Sequence, residues 1–190
     1  MTAAFDGPDM LRIEKGEIST GTLALSASGT ISARGANDLT ARLSGRQGPI
    51  DFRWPLAAGT ARLLVEGANV TVNGPADAAA LDINVVLAAA ELPQGRAENL
   101  RLSAASTAFD LSSRSGPLNV TVETGATAFA NPDIDRLIKG PLKAAAALDV
   151  TPGRIGFAPL TLESAGLSGT LSGTYDPRAQ LAETRFQLSA

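Results

Sequence analysis

Large aliphatic or aromatic side chains alternate with small or polar ones along most of this chain. Ile50, Phe52, Trp54 and Leu56 point one way while Asp51 and Arg53 point the other. Leu81, Ile83, Val85 and Leu87 repeat the pattern, as do Leu118, Val120 and Val122. Successive side chains of a strand leave opposite faces of a sheet, so a period of two marks a half-buried strand. The alternation predicts strands near 10-14, 18-27, 29-34, 39-45, 50-56, 61-66, 69-73, 81-89, 98-105, 108-113, 117-124, 143-151, 154-158, 160-164, 166-175 and 181-189.

Glycine and proline punctuate the joins at Gly45, Gly48-Pro49, Gly59, Gly74-Pro75, Gly116-Pro117, Pro152-Gly153 and Asp176-Pro177. Joins this short connect antiparallel neighbours, so the expected topology is a meander of hairpins. Gly-Thr pairs at 21-22, 29-30, 59-60, 169-170 and 173-174 read as strand bends or bulges. No P-loop lysine follows them. Pro55 places its strand near an edge or an end of the sheet.

The run 131-140 breaks the pattern and predicts a short helix near 132-139. Asn131 suits the N-cap and Pro132 the first turn, with Asp133 and Asp135 at the positive end. Lys139 suits the last turn, and Gly140-Pro141 stops it. Ile134, Leu137 and Ile138 share one face, which reads as a plug over the end of a sheet or a lid over an apolar opening.

Two internal echoes occur, Ser28-Gly29-Thr30-Ile31-Ser32 with Ser168-Gly169-Thr170-Leu171-Ser172, and Asn69-Val70-Thr71-Val72 with Asn119-Val120-Thr121-Val122. Their offsets differ, so no fixed repeat is present.

Composition narrows the chemistry. The chain has no Cys and no His, which removes disulfides, Cys- or His-based metal sites, thiol nucleophiles and a Ser-His-Asp triad. A net charge of -3 without a Lys/Arg cluster argues against a nucleic-acid surface. The nearest carboxylate pairs, Asp133 with Asp135 and Glu14 with Glu17, lack an apolar setting that would tune them for acid-base work. The expectation is therefore a non-enzyme without metal or cofactor. The N-terminus lacks a basic segment followed by an apolar one, and the longest apolar run, near Val85 to Ala90, is too short to span a bilayer. The chain reads as one β-rich segment over 1-190, a fragment of something longer.

About twenty large apolar side chains fall on one face. Leaving each exposed forfeits roughly 1.5-3 kcal/mol, so the face represents roughly 30-60 kcal/mol against a net domain stability of ~5-15 kcal/mol. A flat open sheet is untenable. The face either presses against a second sheet in a closed β-sandwich or curls into a trough with a narrow exposed seam. An outer-membrane barrel, apolar outward with aromatic girdles, fits poorly with one Trp, one Tyr and six Phe.

Three stretches carry a family resemblance: Leu92-Pro93-Gln94-Gly95-Arg96-Ala97-Glu98-Asn99-Leu100-Arg101-Leu102, then Phe109-Asp110-Leu111-Ser112-Ser113-Arg114-Ser115-Gly116-Pro117-Leu118, then the run from Asn131 to Leu142. With the closing Leu171-Ser172-Gly173-Thr174-Tyr175-Asp176, they resemble the repetitive middle region of alphaproteobacterial TamB-type proteins, which belong with the AsmA-like envelope proteins. The resemblance covers most of the chain from about residue 20. It implies an all-β antiparallel meander curled into a U-shaped trough, the β-taco. It also implies a place in the periplasm within an inner-membrane-anchored protein, conduction of phospholipid between membranes, and support of outer-membrane protein assembly. The implied partners are phospholipid acyl chains, flanking segments of the same longer chain, and a TamA-like outer-membrane barrel reached through regions outside this chain.

The candidate groove lining follows from the alternation: Ile50, Phe52, Trp54, Leu81, Ile83, Val85, Leu118, Val120, Val122, Phe157, Leu160, Leu162, Phe186 and Leu188. The rival readings are a structural or adhesin-like β-sandwich that binds through its loops and a β-built carbohydrate-active enzyme. The enzyme would need paired carboxylates in an aromatic cleft. Unpaired edges of a cut sheet predict self-association of the isolated piece.

Overall fold

A computed structural model describes the backbone of residues 2-5 and all of residues 10-32, 34-56, 58-138, 140-176, 178-179 and 181-189. The turn proline Pro177 and the expected last-turn cation Lys139 lie outside the described residues.

The chain forms one 14-stranded antiparallel sheet, open at both ends and curled into a trough. The strands are β1 (Thr2–Phe5), β2 (Met10–Ser19), β3 (Leu23–Ser32), β4 (Ala36–Gly45), β5 (Ile50–Leu56), β6 (Gly59–Pro75) and β7 (Ala79–Leu92). They continue with β8 (Gly95–Phe109), β9 (Gly116–Thr124), β10 (Ala126–Phe129), β11 (Leu142–Thr151), β12 (Arg154–Ser164), β13 (Ser168–Asp176) and β14 (Leu181–Ser189). The spatial order is β1-β2-β3-β4-β6-β7-β8-β9-β11-β12-β13-β14, with β5 beside β6 and β10 beside β8. A closed two-sheet sandwich is not formed. Among the described residues no large side chain is fully buried, whereas two interlocked sheets would bury many.

The meander departs from simple hairpins at two places. β6 is long enough to hold two neighbours end to end: its first half, Gly59 to Val65, pairs with β5, and its second half, Gly67 to Pro75, pairs with β4. β8 does the same, pairing Arg101 to Ala105 with β9 and Gly95 to Glu98 with β10. The three longest strands, β6, β7 and β8, therefore carry a second tier bordered by β5 and β10.

A line of irregular residues separates the tiers. Glu66 in β6, Ala88 in β7 and Asn99 in β8 each fall out of the pairing at the same level, and Asn99 takes φ +51. Gly125 sits beside Asn99, its N–H donating to the Glu98 carbonyl at 2.8 Å. Each extra residue reverses the alternation. The apolar positions of β6 shift from 61, 63 and 65 to 68, 70 and 72 across this line, so they stay on the same side of the sheet.

Single bulges elsewhere act likewise. Glu14 and Lys15 together oppose Ser28, and Ala158 with Pro159 oppose Ala147, the 158-159 peptide being cis. The expected separate strands 61-66 and 69-73 are thus one strand, as are 154-158 and 160-164. The expected strands 10-14, 18-27 and 29-34 become two, joined by a turn at 20-22.

At Gly29 the bend reading holds. Its φ is +116, and a Cβ there would meet the Asp38 carbonyl oxygen. Gly173 resembles Gly29, with φ +159 and a Cβ that would meet the Glu183 carbonyl oxygen. Gly169 differs: it is a position of close approach, with Leu188 packed over it.

The helix α1 (Pro132–Leu137) forms where expected. Asn131 Oδ1 accepts from the N–H groups of Asp133 and Ile134 at 2.9 and 3.3 Å. Asp135 Oδ1 accepts from the Phe129 N–H at 2.8 Å and ties the helix to β10. The plug reading is corrected: no residue of α1 is buried, and Ile134 and Leu137 are 42% and 54% exposed. A six-residue helix held along β10, with its Leu137 carbonyl near Gly166 of the β12–β13 turn, leaves Ile134 and Leu137 largely uncovered.

Candidate functional site: the apolar face of the sheet

Directly paired residues of an antiparallel ladder lie on the same face. The pairing can therefore be followed from strand to strand. Phe52 pairs with Leu63, Leu63 with Ala90, and Ala90 with Ala97 in the upper tier. In the lower tier Leu25 pairs with Leu43, Leu43 with Ala68, Ala68 with Val85, Val85 with Leu102, Leu102 with Val122, and Val122 with Ala144. The line continues from Ala146 to Leu160, Leu171 and Phe186.

Every one of the sequence-derived lining residues falls on this one face. Ile50, Phe52 and Trp54 are brought there by β5. Leu81, Ile83 and Val85 come from β7, and Leu118, Val120 and Val122 from β9. Phe157, Leu160 and Leu162 come from β12, and Phe186 and Leu188 from β14. Ile50 is the one buried member. Those of β7, β9 and β12 are half-buried, and Phe52, Trp54, Phe186 and Leu188 are 45%, 70%, 70% and 61% exposed.

Sequence reasoning left out further members of the same face, among them Leu39, Leu43, Leu63, Leu100, Leu148 and Leu171. The signal for them was present. Each keeps the local period of two within its own strand.

No Asp, Glu, Lys or Arg occupies a paired position on this face among the described residues of β2 to β14. The charges stand on the other side. Arg62 of β6 joins Asp51 of β5 at 3.1 Å and Glu91 of β7 at 3.5 Å. Arg96 of β8 extends the row to Glu91 and Glu98, and Lys143 of β11 meets Glu123 of β9 at 3.1 Å. The Arg62 hydrogen bonds hold the Asp51 carboxyl below its usual range against the opposing effect of burial, and the Arg62 guanidinium is correspondingly raised. Opposite charges on adjacent strands satisfy one another in water, so this face needs no further cover.

No family model matches the chain, and no curated protein or solved structure shows significant similarity to it.

Polar groups reach the apolar face mainly at strand ends. Buried Asn37 accepts from the Ser32 N–H at 2.7 Å and donates to the Gly74 carbonyl at 3.2 Å, clamping the turn between β3 and β4 to β6. Thr124 Oγ1 accepts from the Leu142 N–H at 3.0 Å where the chain re-enters the sheet after α1. No group of three or more His, Cys, Asp or Glu residues suited to a metal occurs among the described residues. Of the weighed carboxylates, Asp135 caps β10 and Glu17 pairs with Lys15 at 3.2 Å. The arrangement offers a continuous uncharged surface, walled by the curl of the sheet, for molecules that prefer oil to water.

Proposed function

We propose that this chain is a segment of a periplasmic lipid conduit, its trough conducting phospholipid between inner and outer membranes as part of a TamB-type envelope protein that supports outer-membrane protein assembly. One observation carries the reading: fourteen side chains chosen for their alternation meet on a single face on which no charged residue holds a paired position among the described residues of β2 to β14. Acyl chains would lie against this face while head groups remain at the wet seam. The apolar side chains stand in for the bilayer interior, and no chemical step is required. The exposed aromatic and aliphatic groups at Phe52, Trp54, Phe186 and Leu188 give acyl chains apolar surface to cover. The sequence resemblance at 92-102, 109-118 and 131-142 supports the family assignment, and these runs form the β7–β8 hairpin, the β8–β9 hairpin and the α1 connection.

Photocrosslinking in cells tests the reading. A photoreactive residue at 52 or 83 should capture phospholipid, and one at 51 or 53 should not. Capture only from 51 or 53 would contradict the conduit.

A further inference from the structure

β5 is a border strand in the interior of the chain. β4 and β5 share one column beside β6, and β3 stops at Leu23, level with Gly45, so no strand stands beside β5. The gap does not depend on what flanks the chain. A strand added to the sheet beyond β1 would lie four strand spacings from β5, about 19 Å. The other short border strand, β10, is covered: α1 packs along it, and the Asp135 carboxylate accepts from the Phe129 N–H. Nothing among the described residues does this for β5, and every residue from Asp51 to Leu56 is exposed.

The open edge presents a hydrogen-bonding ladder. Leu56 and Gly59 are the innermost pair of the β5–β6 hairpin, so they exchange hydrogen bonds, and by alternation so do Trp54 with Ala61 and Phe52 with Leu63. The N–H and C=O groups of Asp51 and Arg53 therefore point away from β6, and the Pro55 carbonyl follows them. Pro55 has no N–H, so it marks the end of the ladder.

The side chains define the partner. Phe52 and Trp54 stand exposed on the trough side of this edge, where apolar residues of an incoming strand would cover them. On the other side Arg53 is exposed, and its ionic contact is Asp51, 3.4 Å away, a carboxylate that Arg62 already holds through three hydrogen bonds. Arg53 has donors to spare for a carboxylate directly across the ladder. A lipid tail could cover the two aromatic rings but could not fill the backbone groups.

We propose that the outer edge of β5 docks an extended segment of another polypeptide. The segment alternates apolar and polar residues, lies antiparallel like every pairing in this sheet, and sets a carboxylate opposite Arg53. Main-chain hydrogen bonds to Asp51, Arg53 and Pro55 hold it, and the alternate side chains select it. The inference is independent of what the trough carries.

Fluorescence polarisation on the full chain tests it, with a labelled, end-blocked nonapeptide, Thr-Val-Thr-Val-Glu-Val-Thr-Val-Thr. Saturable binding is expected. Changing the peptide's Glu to Lys should weaken it about tenfold. Arg53→Ala should remove that preference and Arg53→Glu should reverse it, which separates β5 from any other edge of the sheet. N-methylation of the peptide's Glu, whose N–H faces β5, should abolish binding. N-methylation of the Val that follows, whose N–H faces away, should leave most of it. No binding, an order of the two peptides unchanged by both Arg53 variants, or equal loss from both methylations would overturn the proposal. A signal that falls again as the chain is concentrated would give the edge to a second copy and overturn it too.

Discussion

The Arg62 guanidinium grips the Asp51 carboxylate from the neighbouring strand, Nε lying 3.1 Å from Oδ1 and 3.2 Å from Oδ2, with Nη2 3.1 Å from Oδ2. One residue along, Leu63 and Phe52 face each other on the opposite side of the same ladder. The two pairs show how β5 is attached: a charged clasp outside, an apolar contact inside. Because the Asp51 carboxyl is held below its ordinary value of 3.8, folding favours its ionised form. That stabilisation is present above the ordinary carboxylate range and is lost as pH falls through the lowered value. Asp51→Asn should therefore melt below the parent chain at neutral pH and converge with it in strong acid, where both forms are uncharged at this site. Thermal unfolding at the two pH values checks this, and because the pair is exposed the gap should also shrink in high salt.

Asp110 gives a second acid-sensitive contact. Its carboxylate accepts from the Ser112 hydroxyl at 2.6 Å and from the N–H groups of Ser112 and Ser113 at 2.8 and 3.0 Å, which hold it far below its usual range. Replacement by Ala should loosen the β8–β9 turn. Amide exchange at Ser112 and Ser113 should quicken in the variant at neutral pH, and the difference should fade in acid as the parent carboxylate takes up its proton.

Asn37 is 3% exposed and satisfies both the Ser32 N–H and the Gly74 carbonyl. Removing its amide leaves buried backbone groups without partners. Asn37→Ala should cost about 1–3 kcal/mol in chemical denaturation.

Gly29 and Gly21 make a matched pair. Gly29→Ala forces a Cβ toward the Asp38 carbonyl in a backbone of positive φ and should destabilise by more than about 1 kcal/mol. Gly21 has open space around it, and Gly21→Ala should stay within about 0.5 kcal/mol of the parent. Denaturant midpoints of the two variants distinguish a bend that needs glycine from one that tolerates it.

The sheet class, the helix and the membership of the apolar face were legible because a period of two survives in short stretches. Asn131 and Pro132 announced α1 by their capping chemistry alone. Pro55 marked β5 as a border strand, and β5 does pair only with β6. What stayed hidden depends on bulges. At Glu66 the alternation of β6 changes phase, which reads as a strand end although the strand runs on to Pro75. The same holds at Pro159 in β12. The end-to-end placement of β4 and β5 along β6 leaves no local mark, since it depends on which distant strand each half meets. β10, the tetrapeptide Ala126 to Phe129, is too short for a period of two to stand out, with a single large apolar side chain at its end.

The central claim is that acyl chains occupy the face shared by Trp54 and Phe157 and not the charged face behind it. Trp54 is the single tryptophan of the chain, so its emission reports on that face directly. The measurement is quenching by phospholipids brominated along their acyl chains, made on the native chain and on two Trp54→Phe variants. One variant carries Phe157→Trp on the apolar face, the other Asp149→Trp on the polar face. The account requires strong quenching with a blue shift at 54 and 157 and little at 149. Equal quenching at all three positions, or quenching confined to 149, would contradict it.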